Sequence, residues 1–244
     1  MTILFALAVI LGLTLGPVLH HIAYATSARV PIATPYGSCQ TCGVMRPLPY
    51  VACPNDHPGR RRELAWSIAY VLVFAGTVAH VGVASEITAY WVFAGVTLTL
   101  VIADIDEKLI PNKILFPGGA AAILLLVVEA AVSGRSERLA PSLAAAMGYY
   151  AVFFLVHSLN RQGFGFGDVK LAFLLGFFTM FDSLQIFLLG VFFTGVIGGI
   201  PAILLLVTRR VGPKYAIPYG PAMVLGAWLA IVAGDPFLSW YLAR

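Results

Sequence analysis

Two aspartates carry most of the chemistry this chain can offer. Asp104 lies in Ala103-Asp104-Ile105-Asp106-Glu107-Lys108-Leu109-Ile110-Pro111-Asn112, and Asp168 in Gly163-Phe164-Gly165-Phe166-Gly167-Asp168-Val169-Lys170. Each stands at the edge of a long apolar stretch, where an ionised side chain is expensive, and acidic residues in such places are functional-site hypotheses by default. Two that meet there make a shared-proton pair, which supplies one acid and one base near neutral pH. A lone Asp beside a helix end is ordinarily a loop charge at the water boundary. The glycine-rich run before Asp168 and the Ile-Pro-Asn after Asp104 set these two apart.

The elements that must position them are apolar helices. The chain is 60% hydrophobic and 11% charged, with mean hydropathy +0.91, which excludes an ordinary soluble domain. Apolar runs at 2–24, 64–84, 87–103, 114–132, 139–159, 169–181, 183–208 and 217–241 read as about eight transmembrane helices. Most approach the roughly 20 residues needed to cross a hydrocarbon core of about 30 Å. The expected fold is an all-α, polytopic membrane helical bundle. The sixth run is short: its residues, at about 1.5 Å each, reach only about 20 Å. Its ends are therefore expected inside the membrane or in a water-filled notch, and Asp168 is at one of them.

Lys and Arg concentrate in cytoplasmic loops, so charge gives the orientation. With eight spans and an outside N-terminus, the inner connections hold Arg29, Arg46, Arg60, Arg61, Arg62, Lys108, Lys113, Arg161, Lys170, Arg209, Arg210 and Lys214. Outside remain Arg135, Arg138 and Arg244. The net charge of +4 thus reflects topology, and no nucleic-acid face is read from it. Both key aspartates fall on the cytoplasmic side.

Ala23-Tyr24-Ala25 matches a small-x-small cleavage pattern, but Met1-Thr2-Ile3-Leu4 has no basic residue and the apolar run outlasts a signal core. A retained first helix (1–24) is expected, then a cytoplasmic cysteine-containing loop (25–63), then one membrane domain (64–244). In that loop Cys39-Gln40-Thr41-Cys42, Cys53 and His57 read as Cys-x2-Cys-x10-Cys-x3-His. Four soft ligands in two close pairs satisfy tetrahedral zinc, and on the cytoplasmic side a lasting disulfide is not expected.

Pro111 biases the residue before it away from helical conformation, so Asp104 lies near a helix C-terminus, where the dipole disfavours the carboxylate anion. Asp168 stands near a helix N-terminus, where the dipole favours it. Gly163, Gly165 and Gly167 leave backbone accessible to an extended substrate. On a helix, positions two apart point about 200° from each other, so at most one of Asp104 and Asp106 faces Asp168. Lys108 and Lys170 read as positive-inside anchors, with a substrate carbonyl or a phospholipid headgroup as the alternative partner.

Together these residues resemble the type IV prepilin peptidases, membrane aspartic proteases of the Gly-x-Gly-Asp type. Asp104-Ile105-Asp106 with Leu109-Ile110-Pro111-Asn112 is similar to that family's first catalytic motif. Gly165-Phe166-Gly167-Asp168, Val169-Lys170-Leu171, Pro218-Tyr219-Gly220-Pro221 and the Cys-x-x-Cys loop follow in the family's order. The resemblance implies an inner-membrane endopeptidase that removes the short basic leader of pilin-like precursors at the cytoplasmic face. Asp104 and Asp168 take the catalytic positions, with Asp106 a solvated or supporting carboxylate, and Gly165, Gly167, Lys170 and Pro111 as motif support. The peptidase needs no cofactor. S-adenosylmethionine enters only with the N-methyltransferase activity of relatives that have two Cys-x-x-Cys pairs, whereas here one cysteine is missing, and either His57 or Asp56 substitutes for it or the site is degenerate. Precursor proteins and membrane lipids are the expected partners.

Presenilin or signal-peptide-peptidase type enzymes share the Gly-x-Gly-Asp logic. Their Pro-Ala-Leu element is matched only in part, by Gly220-Pro221-Ala222-Met223. A proton-coupled transporter also uses paired carboxylates, but it predicts repeated halves with broken helices, and the sequence has no such symmetry.

Overall fold

In a hydrocarbon environment backbone polar groups must be satisfied within the chain, so apolar runs become helices. A computed structural model describes residues 1–27, 59–82, 86–161, 164–208 and 218–243. It comprises α1 (Thr2–Ser27), α2 (Gly59–Val81), α3 (Ile87–Glu107), α4 (Asn112–Val132), α5 (Leu139–Leu159), α6 (Phe166–Asp182), α7 (Leu184–Thr194), α8 (Ile200–Val207) and α9 (Gly220–Leu242). A short 3-10 turn joins α4 to α5, and a π-helical segment, Gly195–Gly199, carries α7 into α8. No strand occurs among the described residues.

Among the described residues seven segments are long and apolar enough to cross a membrane, with α7 and α8 forming one of them. The eighth expected span is α6, which has 17 residues and begins at Phe166, before the position the apolar run suggested. At about 1.5 Å per residue it covers about 25 Å. It is held at its far end by groups from two other helix termini. Arg138 Nη1 donates to the carbonyls of Phe181 (3.2 Å) and Asp182 (3.0 Å). His80, at the end of α2, meets Asp182 Oδ2 at 2.7 Å. The cation satisfies carbonyls that a helix C-terminus leaves without intrahelical partners. α6 therefore passes from the Asp168 end of the bundle to the opposite end.

The centre of the bundle is made by α3 and α6. Phe93 stacks on Phe178 with ring centroids 4.1 Å apart, and Tyr90 meets the same ring edge-on at 5.4 Å. Such pairs contribute about 0.5–1.5 kcal/mol each beyond area burial. Polar groups buried here are paired across helices. Trp228 Nε1 of α9 donates to Thr97 Oγ1 at 3.0 Å, and Tyr70 of α2 bonds to Thr99 at 2.9 Å. Small residues let helix backbones approach closely, as membrane bundles require. A Cβ on Gly12 would lie 2.5 Å from Val71, and one on Gly16 would lie 2.8 Å from Ser67, so α1 packs directly on α2.

Candidate active site

Asp104 sits in the last turn of α3, which runs to Glu107, four residues beyond the apolar run that the sequence delimits. The helix ends when Lys108 takes a left-handed conformation (φ 53°, ψ 39°) and its N–H donates to the Asp104 carbonyl. A lysine at positive φ is uncommon, and here it turns the chain sharply into Leu109-Ile110-Pro111. Pro111 is extended (φ −70°, ψ 123°) and forms the N-terminal boundary of α4, where a missing N–H is harmless.

Asp168 occupies the first turn of α6, with Gly165 as the N-cap residue. The Asp168 N–H donates to the Gly165 carbonyl at 3.2 Å, and the Gly165 N–H in turn bonds to the Asp168 side chain. This is the back-reaching half of a capping box, with Asp in the position where Glu or Gln is usual. It satisfies one of the free amides of the helix start and fixes the carboxylate against the glycine loop. His157, on α5, pairs through Nδ1 with the Phe164 carbonyl at 2.7 Å, which tethers that loop from the other side.

The two carboxylates meet at the start of α9. The backbone N–H of Gly220 is a hydrogen-bond partner of both Asp104 and Asp168, and the two side chains interact electrostatically. Both residues are buried, at 4% and 5% exposure. Asp104 Oδ2 and Asp168 Oδ1 each lie buried without a hydrogen-bond partner among the described residues. Such atoms are rare in folded proteins and mark strain or chemistry. The pair thus has one oxygen of each carboxylate free to act, and a main-chain dipole between them.

Glycines make this convergence possible. A Cβ on Gly220 would stand 2.7 Å from Asp104 Oδ2, and one on Gly167 would stand 2.7 Å from Ile110 Cβ. Ile110 also lies 3.3 Å from the position of a Gly220 Cβ. The side chain following Asp104's turn is therefore wedged between the glycine before Asp168 and the glycine that bridges the pair. Asp106, two positions on, is half-buried, whereas Asp104 is buried.

Lys170 lies one turn into α6, where its Nζ donates to Asn112 Oδ1 at 2.9 Å and lies over the rings of Phe166 and Phe116. It thereby joins the α6 start to the α4 start. Gly163, Cys39, Cys42, Cys53 and His57 lie outside the described residues. Among the described residues no cluster of His, Cys, Asp and Glu is arranged to hold a metal ion.

Sequence reasoning missed the part played by Gly220. The resemblance pointed at Pro218-Tyr219-Gly220-Pro221, but nothing in those residue types shows that an amide is presented to two carboxylates. Tyr219 extends the same wall. Its hydroxyl donates to the Thr194 carbonyl at 3.3 Å, just before the π-helical segment, and its ring packs on Phe164 and Phe153. A Cβ on Gly198 would fall 2.5 Å from that ring.

The model of the type IV leader peptidase family matches residues 91–203, a stretch that holds both Asp104 and Asp168. Over that stretch, less than half of its length, the chain is similar to the type IV leader peptidase family. Among curated members, the prepilin leader peptidase/N-methyltransferase of Bacillus subtilis (strain 168) is 26% identical over 209 residues, covering 84% of this chain and 75% of that protein. The protein of the same name from Aeromonas salmonicida (strain A449) is 30% identical over 189 residues, 74% of this chain and 60% of its own length. The Pseudomonas aeruginosa protein of that name is 27% identical over 233 residues, with coverages of 88% and 77%. No solved structure matches. The family match ends before Gly220, so the amide between the carboxylates comes from outside it.

Proposed function

We propose that this chain is a prepilin leader peptidase, an aspartic endopeptidase that cuts the basic leader from pilin-like precursors at the cytoplasmic face of the inner membrane. The observation that carries the reading is the buried meeting of Asp104 and Asp168 at the Gly220 amide. The relatives' printed names support the substrate. The charge pattern supports the face, since twelve of the fifteen basic residues fall on the side of the carboxylates under an eight-span topology.

In this reading the pair holds one proton between its members, a property of the pair rather than of either residue. Asp168, at a helix N-terminus, takes a proton from water as that water attacks the scissile carbonyl carbon. Asp104, protonated, donates to the carbonyl oxygen. Collapse of the tetrahedral species breaks the C–N bond, with the proton held by Asp168 passing to the leaving amine and a hydroxyl of the gem-diol returning its proton to Asp104. The products are the leader's carboxylate and a new amino terminus. The Gly220 N–H keeps the two side chains in register through these steps.

The relatives' names include N-methyltransferase. S-adenosylmethionine is the donor class for such a step, and the peptidase mechanism runs without it. A zinc ion held by Cys39, Cys42, Cys53 and His57 would be structural and would supply no step of the cut. The reading is tested by incubating the protein, in a bilayer mimic, with a type IV prepilin. Mass spectrometry should show loss of the leader at a single bond, and a precursor left intact would contradict the reading.

A further inference from the structure

Tyr219 stands at the N-cap position of α9 with helical backbone angles (φ −90°, ψ −22°), and its side chain makes no capping hydrogen bond. Pro221 follows in the first turn and has no N–H to offer. Gly220 therefore supplies the leading free amide, one of those a helix start leaves without an intrahelical partner. It is the amide shared by Asp104 and Asp168. The Gly220 nitrogen is bonded to the Tyr219 carbonyl carbon in a single planar unit. Whatever holds Tyr219 therefore aims that amide.

We propose that Tyr219 is a positioning residue of the carboxylate site, and that the π-helical segment Gly195–Gly199 is the seat that holds its ring. The proposal rests on the peptidase reading and adds what keeps the shared amide in place. The ring is held from three directions. A Cβ on Gly198 would lie 2.5 Å from its Cε2 and 2.8 Å from its Cζ, so only a glycine lets the π segment come this close. The same Cβ would lie 2.8 Å from the Cβ of Ala222, so the seat also bears on the first turn of α9. Phe164 and Phe153 complete the enclosure, with ring centroids 5.6 Å and 6.0 Å from that of Tyr219. Phe164 immediately precedes Gly165, whose N–H bonds to the Asp168 side chain. One ring thus braces the α9 start and the Asp168 loop together.

The π turn shapes the seat. Such a turn holds one residue more than an α-helical turn, and it is rare outside functional sites. Here the Ile200 N–H closes it on the Gly195 carbonyl. Packing at Gly195 does not explain it, since a Cβ there would meet nothing within 4 Å, whereas buried Gly198 meets the ring. The Tyr219 hydroxyl contributes less than the ring. Its 3.3 Å distance to the Thr194 carbonyl exceeds the roughly 2.5–3.0 Å usual for an O–H donor. The fit of an aromatic ring, which phenylalanine would share, carries the role.

The test compares Tyr219→Leu, Tyr219→Phe, Gly198→Ala and the double variant Tyr219→Leu/Gly198→Ala, each as the full chain in a bilayer mimic with a complete prepilin. Gly148→Ala, which adds a methyl in open space, is the control. Tyr219→Leu and Gly198→Ala should each lower kcat about tenfold or more per folded enzyme, with KM within about twofold of the parent. Tyr219→Phe and Gly148→Ala should keep kcat within about twofold. Because Gly198 acts through the ring, the double variant should lose less than the product of the two single losses. Should Tyr219→Leu or Gly198→Ala fail to insert, the other decides. Parental kcat in Tyr219→Leu, an equal loss in Tyr219→Phe, a loss carried by KM, or fully multiplicative losses in the double variant would each overturn the brace. A parent that leaves the prepilin intact would overturn the peptidase reading first, and the brace with it.

Discussion

Gly220 is packed so closely on Asp104 that a methyl group on its α-carbon would lie 2.7 Å from Oδ2. The same residue's N–H serves Asp168. Glycine is thus required at the start of α9 by the carboxylates on α3 and α6, and the order of the three helices around the pair is fixed by one missing side chain. Gly220→Ala should lower prepilin cleavage about 100-fold or more, because a displacement of about 1 Å at a reacting group costs on that scale. The variant should elute as a folded monodisperse protein in detergent. Parental activity in Gly220→Ala would remove the amide from the account.

Gly167 and Ile110 give a second steric test. A Cβ at 167 would meet the Cβ of Ile110 at 2.7 Å, and a β-carbon cannot rotate away, so backbone must move. Gly148 has open space where its Cβ would be. Gly167→Ala should reduce cleavage about tenfold or more by shifting the α6 start against Asp104. Gly148→Ala should leave activity intact and should raise stability by up to about 1 kcal/mol, through a less flexible unfolded chain. Thermal unfolding and initial rates on the two variants separate these outcomes.

At the opposite end of the bundle His80 pairs with Asp182 at 2.7 Å and lies 3.8 Å from Asp235. Glu86, buried at 1% exposure, pairs with Arg135 at 3.3 Å and accepts from Ser133 at 2.9 Å. These contacts fasten the ends of α2, α3, α4 and α6 that lie a full helix length from the carboxylates. Asp182→Asn or His80→Ala should cost roughly 1–3 kcal/mol of stability, the scale of a lost charged hydrogen bond with its partner left buried. Cleavage by the folded fraction should persist. A selective loss of cleavage without loss of stability would show that this end communicates with the site.

The helical architecture was legible in the sequence because apolar runs of membrane length admit few folds. Both aspartates were legible for the same reason, as ionisable groups where such groups are costly. The boundaries were less so. The runs ended α3 at Ala103 and began α6 at Val169, since hydropathy stops at the first charge, whereas hydrogen bonding carries the helices on to Glu107 and back to Phe166. That difference puts Asp104 and Asp168 on rigid helix turns instead of loops. The π-helical segment Gly195–Gly199, the His80–Asp182 pair and the Gly220 amide were not legible. Each depends on residues far apart in the chain meeting through backbone geometry, for which composition and spacing carry no signal. His80 in particular reads as an ordinary interfacial histidine until Asp182, 102 positions away, is brought beside it.

Orientation makes a separate prediction. In a background without native cysteines, a single cysteine at Gly134, in the exposed α4–α5 turn, should react with an impermeant thiol reagent applied to intact cells. A cysteine at Lys113, exposed at the carboxylate end of α4, should react only after permeabilisation. The reverse pattern would put the carboxylate pair on the wrong side for a cytoplasmic leader.

Initial cleavage rates of a type IV prepilin by four proteins test most directly whether Asp104 and Asp168 together perform the cut. Against the parent, Asp104→Asn and Asp168→Asn should each lose roughly 1,000-fold or more, within or beyond the range expected for removing a general acid or base. Asp106→Asn should retain most activity, since it points away from the pair. All three variants should insert and unfold like the parent. Parental cleavage by Asp104→Asn or Asp168→Asn, or complete loss confined to Asp106→Asn, would contradict the assignment.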